Sequence, residues 1–164
     1  MRPIPNRCYS SNSEKSCSIT FAFQANGTNV IGILKGDKYG SEDDIIYGVG
    51  THYDTVRTTK GVDDNGSGMT IMLDVAKGIV RWGKRKYTIM FVAFDFEESD
   101  SEAGAACTEI LCGSGKFVNE WIPNFKTNIH GGQPDFGGFY IMDTMMNFNN
   151  TDYSQDLPLG FDLV

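Results

Sequence analysis

The chain has 164 residues, 40% of them hydrophobic and 21% charged, with a formal net charge of −7. That is the balance of one packed domain and excludes a disordered chain. The acidic excess speaks against a nucleic-acid partner, which requires clustered Lys and Arg, and no apolar stretch reaches the roughly 20 residues of a membrane span.

Residues 1–18 are polar, rich in Ser and Pro, and read as an N-terminal arm; residues 19–164 are expected to form the domain. Met1 to Pro5 lacks the apolar core of a signal peptide, so either the protein is cytosolic or this chain begins downstream of its true start. Cys8/Cys17 and Cys107/Cys112 make two local pairs. Each pair suits a small disulfide loop in an oxidising compartment, and four free thiols fit the spacing equally well. Sequons at Asn26 and Asn149 agree with an extracellular or secretory location, whereas the one at Asn65 lies inside a candidate site and is expected to stay unmodified.

Thr28 to Lys35 is a β-branched and apolar run between glycines, a predicted strand. Ile45 to Gly50 is nearly continuous apolar residues and glycine, as in a strand buried on both faces. Gly66-Ser67-Gly68 opens a helix whose apolar stripe is Met69, Met72, Leu73, Ala76 and Val80, ended by Gly83. Tyr87 to Phe94 is the clearest strand, and residues 99–113 read as an irregular loop. Lys116 to Trp121 predicts a short helix stopped by Pro123, and Phe139 to Met142 is a further apolar run. Alternating strands and helices define an α/β domain with a mixed, largely parallel central sheet.

The polar residues fall at the ends of these strands. His52 and Asp54 follow the second strand, Glu97 and Glu98 stand just beyond the third, and Asp143 ends the last apolar run. Asp63 and Asp64 precede the helix start. In open α/β sheets ligands gather outside the carboxyl ends of parallel strands, so these side chains converge if the strands run parallel. Each piece has a plainer reading: a turn at His52-x-Asp54, a helix cap at Asp63-Asp64, a solvated loop at Glu97-Glu98, a turn cap at Asp143. Six carboxylates and a histidine together would repel one another without cations, and that joint placement points to a metal site.

The stretches GTNVIGILKG, GVGTHYDTV, GVDDNGSG, IMFVAFDFEE, GSGKFVNEW and FYIMDTMMNFN, between about residues 27 and 149, resemble the zinc exopeptidases of the M28 class, aminopeptidases and glutamate carboxypeptidases. The resemblance implies a three-layer zinc-exopeptidase fold and a peptide substrate cleaved at a terminal bond. It implies His52, Asp64 and Asp143 as ligands of one Zn2+, with Asp54 orienting the imidazole. Asp64 would bridge to a second Zn2+ held by Glu98, and Glu97 would be the general base. The Asp64–Asn65 bond is the implied position of a cis peptide, and Trp121 is better placed in the core.

The family's second zinc also takes a histidine well after the aspartate matched by Asp143. His130 precedes that aspartate and does not match by order. The expectation is a catalytic domain whose C-terminal part, roughly a hundred residues, is missing. One zinc site would be complete within the chain, with at most one zinc bound firmly and peptide hydrolysis impaired. Two alternatives remain beside the peptidase: a non-catalytic, receptor-like binding domain on the same fold, and a single-zinc acyltransferase of the glutaminyl cyclase type. Residues 99–112 read as an insertion relative to the family, placed where a loop shapes a pocket rim or merely faces solvent.

Overall fold

The structure, a computed structural model, describes residues 27–98, 112–146 and 149–151. The N-terminal arm, residues 99–111 of the insertion, and Cys8, Cys17 and Cys107 lie outside the described residues. Cys112 is disulfide-bonded.

Four strands form one mixed sheet: β1 (Val30–Leu34), β2 (Ile45–His52), β3 (Thr88–Phe94) and β4 (Asp135–Ile141), in the order β1-β3-β2-β4. β2 is parallel to both β3 and β4, and β1 runs antiparallel to β3 on the outside. The apolar strands predicted from composition therefore sit in the middle of the sheet, as burial on both faces requires. β2 and β3 are joined through helix α1 (Gly66–Arg81), the connection that parallel neighbours need.

The period-2 alternation of β3 divides the core. Met90, Val92 and Phe94 point to one face, where they meet Ile46, Phe117 and Phe125. Phe91 and Ala93 point to the other, against Met72 of α1. Met69, Val75, Ala76 and Ile79 complete the packed side of the helix. Leu73 and Val80, expected in that stripe, are more than half exposed and line an apolar groove beside Val30 and Leu34 of β1. The helix ends near Gly83, whose φ of +80° is the left-handed conformation glycine adopts most readily.

The largest departure from expectation is at Pro123. A helix halting before it was predicted, yet one helical run extends from Gly113 to His130. Two stretches of this run, Phe117–Trp121 and Phe125–His130, are π-helical, and the α-helical turn Ile122–Asn124 that carries the proline lies between them. Pro123 falls in the first turn of that α-helical stretch, where a missing N–H costs least. The gain that favours continuation is aromatic. Trp121 stacks on Phe117 and Phe125 with ring centroids 5.2 and 4.8 Å apart, so three residues spaced by four form one column over the sheet. Trp121 thus belongs to the core, as the sequence suggested.

β4 begins at Asp135, earlier than the apolar run alone implies, because Phe136 and Phe139 both pack on the cluster around Met90. Among the described residues, no helix is long and apolar enough to cross a membrane.

Candidate metal centre

Pairing register aligns the carboxyl ends of the three parallel strands. His52 lies opposite Phe94, and Gly50 lies opposite Ile141, so the chain segments beyond β2, β3 and β4 leave the sheet at one edge. The segments carrying Asp54, Glu97, Glu98 and Asp143 meet there.

His52 is the last residue of β2 and is 5% exposed. Its Nδ1 faces the carbonyl oxygen of Asp54 at 3.2 Å and Asp54 Oδ1 at 3.4 Å. Both neighbours only accept hydrogen bonds, so Nδ1 carries the proton in the neutral ring. The Nε2 lone pair is then left facing Asp64 Oδ1 at 3.1 Å and Asp143 Oδ1 at 3.4 Å, with Glu97 Oε2 at 3.8 Å. Lone pairs confronting lone pairs need either a proton or a cation between them.

The titration of the site reflects that demand. Burial lowers the His52 pKa, but the charge of Glu97, a hydrogen bond to Asp143, and the charges of Asp143 and Asp54 outweigh it and raise the pKa above 6.5. The Glu98 carboxyl is raised above 4.5, first by burial and then by the charge of Asp64, with Glu97 and Asp54 adding to the effect and His52 opposing it.

Residues 95–98 are fixed largely through their backbone. Asp95 N–H donates to Asn29 Oδ1 at 3.1 Å, Thr28 N–H donates to Asp95 Oδ2 at 2.8 Å, and Gly113 N–H donates to the Asp95 carbonyl at 2.8 Å. Phe96 adopts a positive φ of 56°. The chain then presents the N–H groups of Glu97 and Glu98 to Asp54 Oδ1 and Oδ2 at 3.2 and 3.0 Å. Nothing in the sequence pointed to Asn29 or Asp95, whose partners are 66 and 67 residues away.

The ligand atoms of His52, Asp64 and Glu98 lie within 4.8 Å of one another. Asp64 Oδ1 is buried and has no hydrogen-bond donor. An imidazole with carboxylates is a donor set that zinc accepts, and a buried carboxylate oxygen without a donor is what a cation would satisfy. The residues present fit such an ion. The Asp64–Asn65 peptide is cis.

Two sequence candidates are not in the cluster. Asp63 Oδ1 instead accepts the Met146 N–H at 2.8 Å, so five carboxylates rather than six surround His52. His130 lies at the opposite end of β2, where its Nε2 meets Asp44 Oδ2 at 2.9 Å with both side chains fully buried. Eight residues of strand separate Asp44 from His52, roughly 25 Å at the usual rise, so His130 cannot serve as a ligand beside His52. Asn65, not an aspartate, caps α1, accepting the Gly68 N–H at 3.1 Å. Its side chain is buried, which agrees with its sequon staying unmodified.

An α/β sheet with an imidazole–carboxylate cluster at its parallel strand ends presents a donor set suited to a metal ion. The chain matches the model of Peptidase family M28 over residues 29–156, and it belongs to that family. It is similar to the protein named Aminopeptidase YwaD of Bacillus subtilis (strain 168), at 41% identity over 70 residues. That match covers 43% of this chain and 15% of the relative's length. No solved structure matches the chain.

Proposed function

We propose that this chain contributes to a zinc-dependent exopeptidase that cleaves a terminal peptide bond, on a three-layer exopeptidase fold. An aminopeptidase is favoured over a carboxypeptidase by the similarity to Aminopeptidase YwaD of Bacillus subtilis. The observation that carries the reading is Asp64 Oδ1, buried without a donor and 3.1 Å from Nε2 of His52.

His52, Asp64 and Asp143 would hold one zinc, and Asp64 and Glu98 would contribute to a second. The bound metal would acidify a water and polarise the scissile carbonyl. Glu97 would take the proton from that water and return it to the leaving amine, acting as general base and then general acid. Asp54 keeps the proton on Nδ1 of His52 and so keeps Nε2 open towards the metal position. It also holds Glu97 and Glu98 by their backbone, which fixes where the base stands without consuming its carboxylate.

Elemental analysis of the dialysed chain tests the metal assignment. One zinc per chain, lost in His52→Ala, is expected; a chain that holds no zinc at micromolar metal would refute it. Glu97→Gln separates base from ligand: zinc should stay bound, while the residual hydrolysis of an aminoacyl p-nitroanilide by this chain falls at least 100-fold, within the usual span for a lost general base of about 10²–10⁴.

A further inference from the structure

The block Asp63-Asp64-Asn65-Gly66-Ser67 contains one residue of the cluster and three polar side chains that stay outside it. Those three are spent on the segments that carry the other ligands. Asn65 is 2% exposed, and its Nδ2 donates to Thr51 Oγ1 at 2.9 Å and to the Met142 carbonyl at 3.0 Å. Its Oδ1 accepts from Gly68 N–H. A carbonyl can only accept and an N–H can only donate, so the amide has one possible orientation. Thr51 Oγ1 in turn donates to the His52 carbonyl at 3.3 Å.

Each partner adjoins a cluster residue: Thr51 precedes His52, Met142 precedes Asp143, and Asn65 itself follows Asp64. Two residues further on, Ser67 Oγ donates to the Asp63 carbonyl at 2.6 Å and accepts the Met145 N–H at 2.9 Å. Asp63 Oδ1 accepts the N–H of Met146. The turn after Asp143, where Thr144 has a positive φ of 44°, is thereby tied to the start of α1. Gly68 lets these parts close together, since a Cβ there would collide with Asn65 Oδ1, Thr51 Oγ1 and the Met142 carbonyl.

We propose that Asp63, Asn65 and Ser67 form a positioning clamp, built of hydrogen bonds to Thr51, Met142, Met145 and Met146, that sets the separations of His52, Asp64 and Asp143 before a cation binds. The clamp rests on the metal reading above and extends it to residues that touch no metal. Without it, β2 and β4 keep their sheet pairing and the Met142 N–H its bond to the Gly50 carbonyl at 2.9 Å, but the start of α1 loses these hydrogen bonds to the turn after β4. The cluster then has to be assembled at the expense of metal affinity.

The test titrates zinc alone and cobalt alone into the full chain, as wild type, Asn65→Ala, Ser67→Ala and Trp121→Ala. Affinity is read against a competing chelator, and geometry from the visible absorption of bound cobalt, both at a temperature where each variant is folded by far-UV circular dichroism. Asn65→Ala and Ser67→Ala should bind about 10–100-fold more weakly, with an altered cobalt spectrum. Trp121→Ala, which unstacks the aromatic column, should lower the unfolding midpoint yet keep the wild-type spectrum and affinity. Wild-type affinity and spectrum in both clamp variants overturn the clamp, as does an equal loss in Trp121→Ala. If Asn65→Ala does not fold, Ser67→Ala decides by the same criterion. A wild-type chain that binds neither metal overturns the metal reading itself, and the clamp with it.

Discussion

Asp54 stands behind His52 and beneath Glu98 at once: Oδ1 lies 3.4 Å from the imidazole Nδ1, and Oδ2 accepts the Glu98 N–H at 3.0 Å. One carboxylate thereby couples the imidazole at the end of β2 to the backbone beyond β3.

That coupling makes Asp54 sensitive to a change that barely alters its shape. Asp54→Asn keeps one acceptor oxygen and puts an amide where the other accepts an N–H. Zinc affinity is expected to fall about 10–100-fold, the usual effect of losing a group that orients a metal ligand. Competition with a chelator measures it. Undiminished affinity would show that the imidazole is oriented by packing alone.

The metal-free protein should respond to pH in the opposite sense to the zinc-bound one. The His52 pKa is raised above 6.5, so its contribution to stability is fully present below pH 6.5 and is lost as pH rises through the folded value. The Glu98 carboxyl is likewise raised above 4.5, and its contribution is present below pH 4.5 and lost as pH rises through the folded value. Zinc requires both groups deprotonated and therefore binds better as pH rises. Melting curves of chelator-treated and zinc-saturated protein between about pH 5 and 8 should show a gap that widens with pH. A constant or narrowing gap counts against these two groups as the linked sites.

His130 should matter for folding and not for metal. It is paired with Asp44, whose carboxylate also accepts the Thr88 N–H at 3.1 Å and the Thr88 hydroxyl at 2.6 Å, all of it buried. His130→Ala should cost about 3 kcal/mol by taking the imidazole partner from a buried carboxylate and opening a cavity. Urea denaturation measures the cost. Zinc content per folded chain should stay at the wild-type level, and a drop would mean that His130 acts at the metal after all.

Phe125 tests the aromatic column that carries the helix past Pro123. It is fully buried, stacks on Trp121, and packs in the cluster of Met90 and Val92. Phe125→Ala should destabilise by about 3–5 kcal/mol, the range for deleting a buried aromatic ring. A loss below about 1 kcal/mol would mean that the helical run is held by something other than this stack.

Sequence alone determined the two central strands, the presence of β1, and the placement of His52, Asp54, Asp64, Glu97, Glu98 and Asp143 at strand ends or a helix start, while β4 begins four residues before its apolar run. These are local properties: apolar period and turn residues are written within a few positions, and the parallel sheet then forces the ends together. The tertiary structure decided what each polar side chain does once there. Asp63 lies next to Asp64 in the chain, yet it turns to the backbone of Met146, 83 residues on. Asn65, which looks like a sequon, is a buried link to Met142, 77 residues on. His130, the second histidine, is consumed by Asp44 at the far end of β2. Pro123, a helix stop by local rules, is passed because a column of three aromatic rings gains more by burial than the missing N–H costs. A hydrogen-bond partner many tens of residues away leaves no periodic trace, so only the folded chain reveals it.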